Sequence, residues 1–164
     1  MWQNSAWVLI VIAASVLEAT WPQFLSIQRV VPDLVVVLVV YFSIMESAER
    51  GMYTGVLGGI FQDVASNTGI GHHVLCLVTV GYIIGRMASR LITDNPYVKV
   101  LTVLLASILH SLLFLAIEYV QKVDLNAVYT SSYSIIPHAF YTALVTPLVF
   151  LFLSRVRSMP VQGV

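Results

Sequence analysis

The chain has 164 residues, 59% of them apolar and only 10% charged, with a mean hydropathy of +0.89. Soluble domains run at roughly 45–50% apolar and about 25% charged, so an ordinary soluble domain is excluded. Eight Lys and Arg balance eight Asp and Glu, which leaves no net field for nucleic acid, and a single cysteine, Cys76, excludes an internal disulfide or a multi-cysteine metal cluster.

A bilayer helix takes about 20 residues. Six apolar stretches lie between polar or Pro/Gly breaks, at about 6–21, 32–46, 50–66, 72–91, 97–120 and 136–153. The sequence therefore predicts an all-α integral membrane protein: one polytopic domain of six transmembrane helices, with no room for a soluble catalytic module. The first stretch stops at Pro22. Its start, MWQNS, carries no basic residue, and EATWP is no small-residue cleavage site, so a cleavable signal peptide is not expected. Trp7 and Trp21 bracket it by about 21 Å, as interfacial anchors would.

The second stretch opens at Pro32-Asp33 and runs through LVVVLVVYFSIM to Glu46; the third, GMYTGVLGGIFQDVAS, follows Arg50. At roughly 15–18 residues each, both predict local bilayer thinning or incomplete spanning. The third carries Gly51, Gly55 and Gly59 at four-residue spacing, with Gly58 beside them, and the fourth repeats the spacing at Gly81 and Gly85. Small residues so spaced let backbones approach closely in lipid. Two readings follow: packing of the third helix on the fourth, or a groove for another protein's transmembrane helix. The connection Gln121–Ser134 reads as an outer loop marked by Tyr129 and Tyr133, and Pro147 should kink the sixth helix.

Basic residues set the orientation. With a cytoplasmic amino terminus and six spans, Arg50, Arg86, Arg90, Lys99, Arg155 and Arg157 fall inside, and only Arg29 and Lys122 outside. Both termini are expected in the cytoplasm. Glu46, Glu49 and Asp94 are then cytoplasmic. Glu18, Asp33, Asp63, Glu118 and Asp124 lie toward the outer face with His72, His73 and His138. Asp63 sits roughly 20 Å into the membrane from Arg50 by helical rise, where a lipid-facing carboxylate is costly. It reads as a packing or capping carboxylate beside the Ser-Asn-Thr-Gly turn, as a partner-binding or conformational group, or as a proton or substrate handler. Glu18 and Glu118 read as boundary charges.

The histidines do not read as a metal site. His72 and His73 are adjacent and diverge by about 100° on a helix, and no HExxH or Cys/His spacing exists. His110 reads as a buried hydrogen-bonding residue, with a proton relay as its alternative. Neither GxGD, GxSG nor GxxxxGK[ST] occurs, so no enzyme and no cofactor is expected.

The order of motifs is more informative than any one of them. RVVPDLVVVLVVYF precedes a short polar turn and then GMYTGVLGGIFQDVASNTGIG. This resembles the bacterial rod shape-determining protein MreD family, whose members carry Arg/Val-x-Pro-Asp/Asn, then Gly-x-x-x-Gly-x-x-x-Gly-x-x-x-Asp and a following Gly. The matching residues are Pro32, Asp33, Gly51, Gly55, Gly59, Asp63, Gly69 and Gly71, carried over as a structural or partner-binding motif. The resemblance implies a non-enzymatic component of the cell-elongation machinery in the bacterial inner membrane, surrounded by membrane lipid. Its implied partner is an MreC-like bitopic scaffold and, through it, the RodA glycosyltransferase, a penicillin-binding transpeptidase and MreB filaments. It also implies a fold akin to the substrate-binding subunit of energy-coupling-factor vitamin transporters. A vitamin-capture subunit is the rival reading, although Ala6, Ala13, Ala14 and Ala19 supply no Ala-x-x-x-Ala stripe on the first helix.

Overall fold

The computed structural model describes residues 2–22, 31–66, 71–88, 95–120 and 125–158. Gly69 lies outside the described residues, as do Arg29, Arg90, Asp94, Lys122 and Asp124. Among the described residues there are six α-helices and no strand: α1 (Trp2–Ala19), α2 (Leu34–Met45), α3 (Ala48–Ser66), α4 (His72–Ala88), α5 (Pro96–Val120) and α6 (Leu125–Ser158).

Helix α2 is the centre. A helix apolar on every face is stable only where every face is covered, and Leu34 through Ser43 are all buried. The other five helices each touch it. Its ends are set locally: the Asp33 carboxylate accepts from Val36 N at 2.9 Å, an N-cap, and the Glu46 N–H closes the last turn on Phe42 O at 3.0 Å. At the next residue the Ser47 hydroxyl accepts from Arg50 N at 3.2 Å and starts α3. Asn95 Oδ1 takes the Tyr97 N–H at 2.9 Å, with Pro96 at the first position of α5.

Among the described residues, two helices are long and apolar enough to cross a bilayer by length and composition, Pro96–Val120 and Ile135–Val156. They present Leu101, Leu105, Leu112, Phe140, Leu144, Leu148 and Leu151 outward. An apolar exterior of this extent belongs against hydrocarbon.

Two expectations are corrected here. The segment read as an outer loop is helical from Leu125 onward, so α6 runs 34 residues and holds both Pro137 and Pro147. Its Ser/Asn-rich composition suggests a loop, but serine is a middling helix former, and a helix can stay polar where it leaves the bilayer. Trp7 is no lipid anchor. Its indole N–H donates to Thr54 Oγ1 at 2.9 Å, and the Arg50 guanidinium lies 4.7 Å from its ring centroid. Arg50 in turn holds Glu46 at 2.7 Å. This clasp ties α1 to α3 at the end of the bundle opposite the buried acids.

Candidate functional site

The glycine spacing of α3 puts Gly51, Gly55 and Gly59 on one face, and that face meets α4. A Cβ on Gly55 would stand 2.8 Å from the Leu77 carbonyl carbon, and one on Gly59 would stand 2.6 Å from Val74 Cα. Both neighbours are backbone and cannot rotate away. Gly51 sits where three helices meet, against Ser43 of α2 and 2.9 Å from where a Cβ on Gly81 would lie.

At the end of this seam the chain must turn from α3 into α4, and Asp63 organises the turn. Its Oδ2 accepts from Gly71 N at 2.7 Å; its Oδ1 accepts from His73 N at 2.8 Å and lies 3.0 Å from His73 Nδ1. The carboxylate thus takes two N–H groups at the α4 N-terminus, which no intrahelical carbonyl can reach. Gly71 has φ +103, a conformation that disfavours any side chain. Asp63 is 2% exposed.

Neighbouring Gln62 points about 100° away and joins a second, larger cluster. Its amide N–H2 donates to Glu18 Oε1 at 2.6 Å and to Asp33 Oδ1 at 3.3 Å. Glu18 Oε2 accepts from Val35 N at 3.2 Å. Asp33 Oδ2 lies 3.2 Å from His110 Nδ1, and the Asp33 N–H donates to Thr142 Oγ1 at 3.1 Å. Residues from α1, α2, α3, α5 and α6 therefore converge on Asp33, while the rings of His73 (α4) and His110 are 5.9 Å apart. Pro32 is buried immediately before this cap. Glu18 is not a boundary charge; it is a half-buried partner of the α2 N-terminus.

The cluster forms the wall of a cavity of about 410 Å³. Ser15, Glu18, Gln62, His110, Phe114 and Glu118 are among its lining residues. Of the family-motif residues, Asp33 reaches this cavity; Asp63 stands behind it through His73, and the three glycines lie along the seam. Sequence reading missed Gln62, Thr142 and the inward role of Glu18. The adjacency of Gln62 to Asp63 is the signal for the first: two polar residues side by side on one buried helix face two different neighbours. Glu18 and Thr142 carry no comparable local signal.

The capping geometry sets an expected result. In Asp63→Asn only one of two accepting oxygens remains, so one backbone N–H loses its bond, at about 1–2 kcal/mol; Asp63→Leu strands both and should cost about 2–5 kcal/mol. Thermal unfolding in detergent should rank wild type above Asn and Asn above Leu. Equal, complete loss with both variants would show instead that the charge itself is used.

Neither a curated protein nor a solved structure matches the chain. The expected likeness to a vitamin-capture subunit therefore has no support from a solved structure. The sequence pattern of one family does match, over residues 1–156, and so covers α1 to α5 and all but the last two residues of α6. That family consists of membrane proteins, in keeping with the two long apolar helices. The chain belongs to the rod shape-determining protein MreD family.

Proposed function

We propose that this MreD protein acts in the rod-shape machinery as a non-enzymatic polytopic scaffold. It crosses the inner membrane six times with both termini cytoplasmic, and it holds an MreC-like bitopic partner beside the peptidoglycan-synthesising enzymes and MreB filaments. The observation that carries this reading is the family match over nearly the whole chain. The packing supports it. Backbone contact along α3 and α4 and the hydrogen bonds converging on Asp33 make a stiff frame, and a scaffold works by keeping its surfaces in fixed relation. Pro32, Asp33, Gly51, Gly55, Gly59, Asp63, Gly69 and Gly71 serve this frame and, through it, partner binding.

The six-to-two distribution of basic residues supports the orientation. The ends of α1, α3 and α5 and the starts of α2 and α4 gather at the Asp33 cluster, which this orientation places on the periplasmic side. A cytoplasm-active reporter fused after Val164 should be active, and one inserted near Asn126 should read as periplasmic. A periplasmic carboxyl terminus would mean an odd number of crossings and overturn the topology. The scaffold reading itself is tested by pull-down: the tagged protein should recover an MreC-like protein from solubilised membranes, and the loss of that recovery should accompany loss of rod shape.

A further inference from the structure

The five helices around α2 form a ring with one break. Going round it, α1 packs on α3, α3 on α4, α4 on α5 and α5 on α6. Among the described residues, no Cα of α1 comes within 8 Å of a Cα of α6. A groove of about 580 Å³ lies in that break. Its walls include Leu9 and Leu17 of α1 and Leu148 and Phe152 of α6, all exposed on the outside of the bundle. Its floor is formed by Leu34 and Leu38 of α2, both buried. Among the described residues, no charged or hydrogen-bonding side chain lines it. From Leu9 to Leu17 it follows α1 for about 12 Å.

The groove opens on a surface that faces hydrocarbon, and left empty its walls would lose dispersion contacts on one side. The candidates to fill it are a transmembrane helix and an acyl chain. Helices associate in lipid where small residues bring backbones together, because large apolar side chains gain nothing over lipid tails. The four-residue glycine ridges of α3 and α4 are already packed on each other. In the groove only Ala13 and Ala14 are small; as chain neighbours they point about 100° apart and form no ridge. The remaining lining is branched or aromatic, an uneven surface that a flexible chain follows and a regular helix does not. From this we infer that the groove holds the acyl chain of a membrane phospholipid, as the element that closes the ring around α2. This chain lies against Leu34 and Leu38 and touches three helices at once, unlike the lipid on the outer faces.

The test uses the full-length protein in phosphatidylcholine nanodiscs that contain a small fraction of phosphatidylcholine with a diazirine in mid-chain. After illumination, lipid adducts are mapped by peptide mass spectrometry. Adducts on Leu105 and Leu144, exposed on α5 and α6, report ordinary surface lipid. Adducts on Leu34 and Leu38 report the groove, whose floor they form. Both sets should appear in the wild type. Ala13→Trp, at an exposed position of the groove wall, should fill the groove, lose the adducts on α2 and keep those on Leu105. If that variant does not fold, the wild-type pattern decides. A benzophenone side chain introduced at Leu17 then asks what occupies the groove in cells. Illumination should give no cross-link to a second polypeptide. Such a cross-link would assign the groove to a partner's helix, which overturns the inference and leaves the scaffold reading standing. Absence of adducts on Leu34 and Leu38 in the wild type, or their retention in folded Ala13→Trp, would overturn it as well.

Discussion

A Gly55→Leu, Gly59→Leu double variant should fail to accumulate as folded protein, and cells that depend on it should lose rod shape and become round. Overpacking costs about 1–3 kcal/mol per site where neighbours can yield. Here the obstacles are the α4 backbone at Leu77 and Val74, so the top of that range applies at each position. The combined cost of about 4–6 kcal/mol is comparable with the whole stability of a small domain. Even Gly59→Ala should lower the melting temperature, because a Cβ alone stands 2.6 Å from Val74 Cα. Membrane abundance, melting temperature and cell shape measured on one set of strains check the argument. Normal rods with normally abundant double variant would show that α3 and α4 can separate without consequence.

Asp33→Leu should be the most damaging single change outside the seam. The carboxylate caps α2, accepts from Gln62 and faces His110, all at 3% exposure. Removing it strands the Val36 N–H, one Gln62 N–H and His110 Nδ1 together. Breaking a buried hydrogen-bonded pair costs about 3–5 kcal/mol, before the lost cap, worth about 1 kcal/mol, is counted. Asp33→Asn keeps one oxygen and the shape and should lose less than half as much. The variant Thr142→Val separates this network from nonspecific damage: it removes one hydroxyl acceptor and should cost about 1 kcal/mol. Melting temperatures in detergent should follow the order Thr142→Val, Asp33→Asn, Asp33→Leu. An Asp33→Leu protein as stable as Thr142→Val would refute the central role assigned to this residue.

The parts of this molecule legible in the sequence are those encoded locally. The all-round apolar run of α2 and the Pro-Asp before it announce a covered helix with a cap. Four-residue glycine spacing announces one small-residue face, and Asp63 beside Ser-Asn-Thr-Gly announces a capping option. What that glycine face packs on, and which neighbours the acids find, are set by tertiary arrangement. Gln62 meets Glu18 across 44 positions and Asp33 meets Thr142 across 109, separations at which residue spacing carries no information. His110 is recognisable as a buried histidine, but its partner is not. Composition misled at α6, where serines and asparagine suggest a loop although nothing in them forbids a helix, and at Trp7, whose position suits an anchor while its indole serves a neighbouring hydroxyl.

The burial of α2 has a consequence for how the protein is made. This helix is synthesised second, yet four of the five helices that cover it, α3 to α6, emerge later. With twelve residues it spans only about 18 Å, well short of a hydrocarbon core of about 30 Å. A nascent chain ending after α3 therefore carries a stub whose capping carboxylate lacks His110 and Thr142 and whose length does not match the bilayer. Release into lipid at that stage is unfavourable. The first half of the chain is therefore expected to stay with the insertion machinery until α5 and α6 arrive, so that completion of the carboxyl-terminal hairpin commits the nascent protein to the membrane.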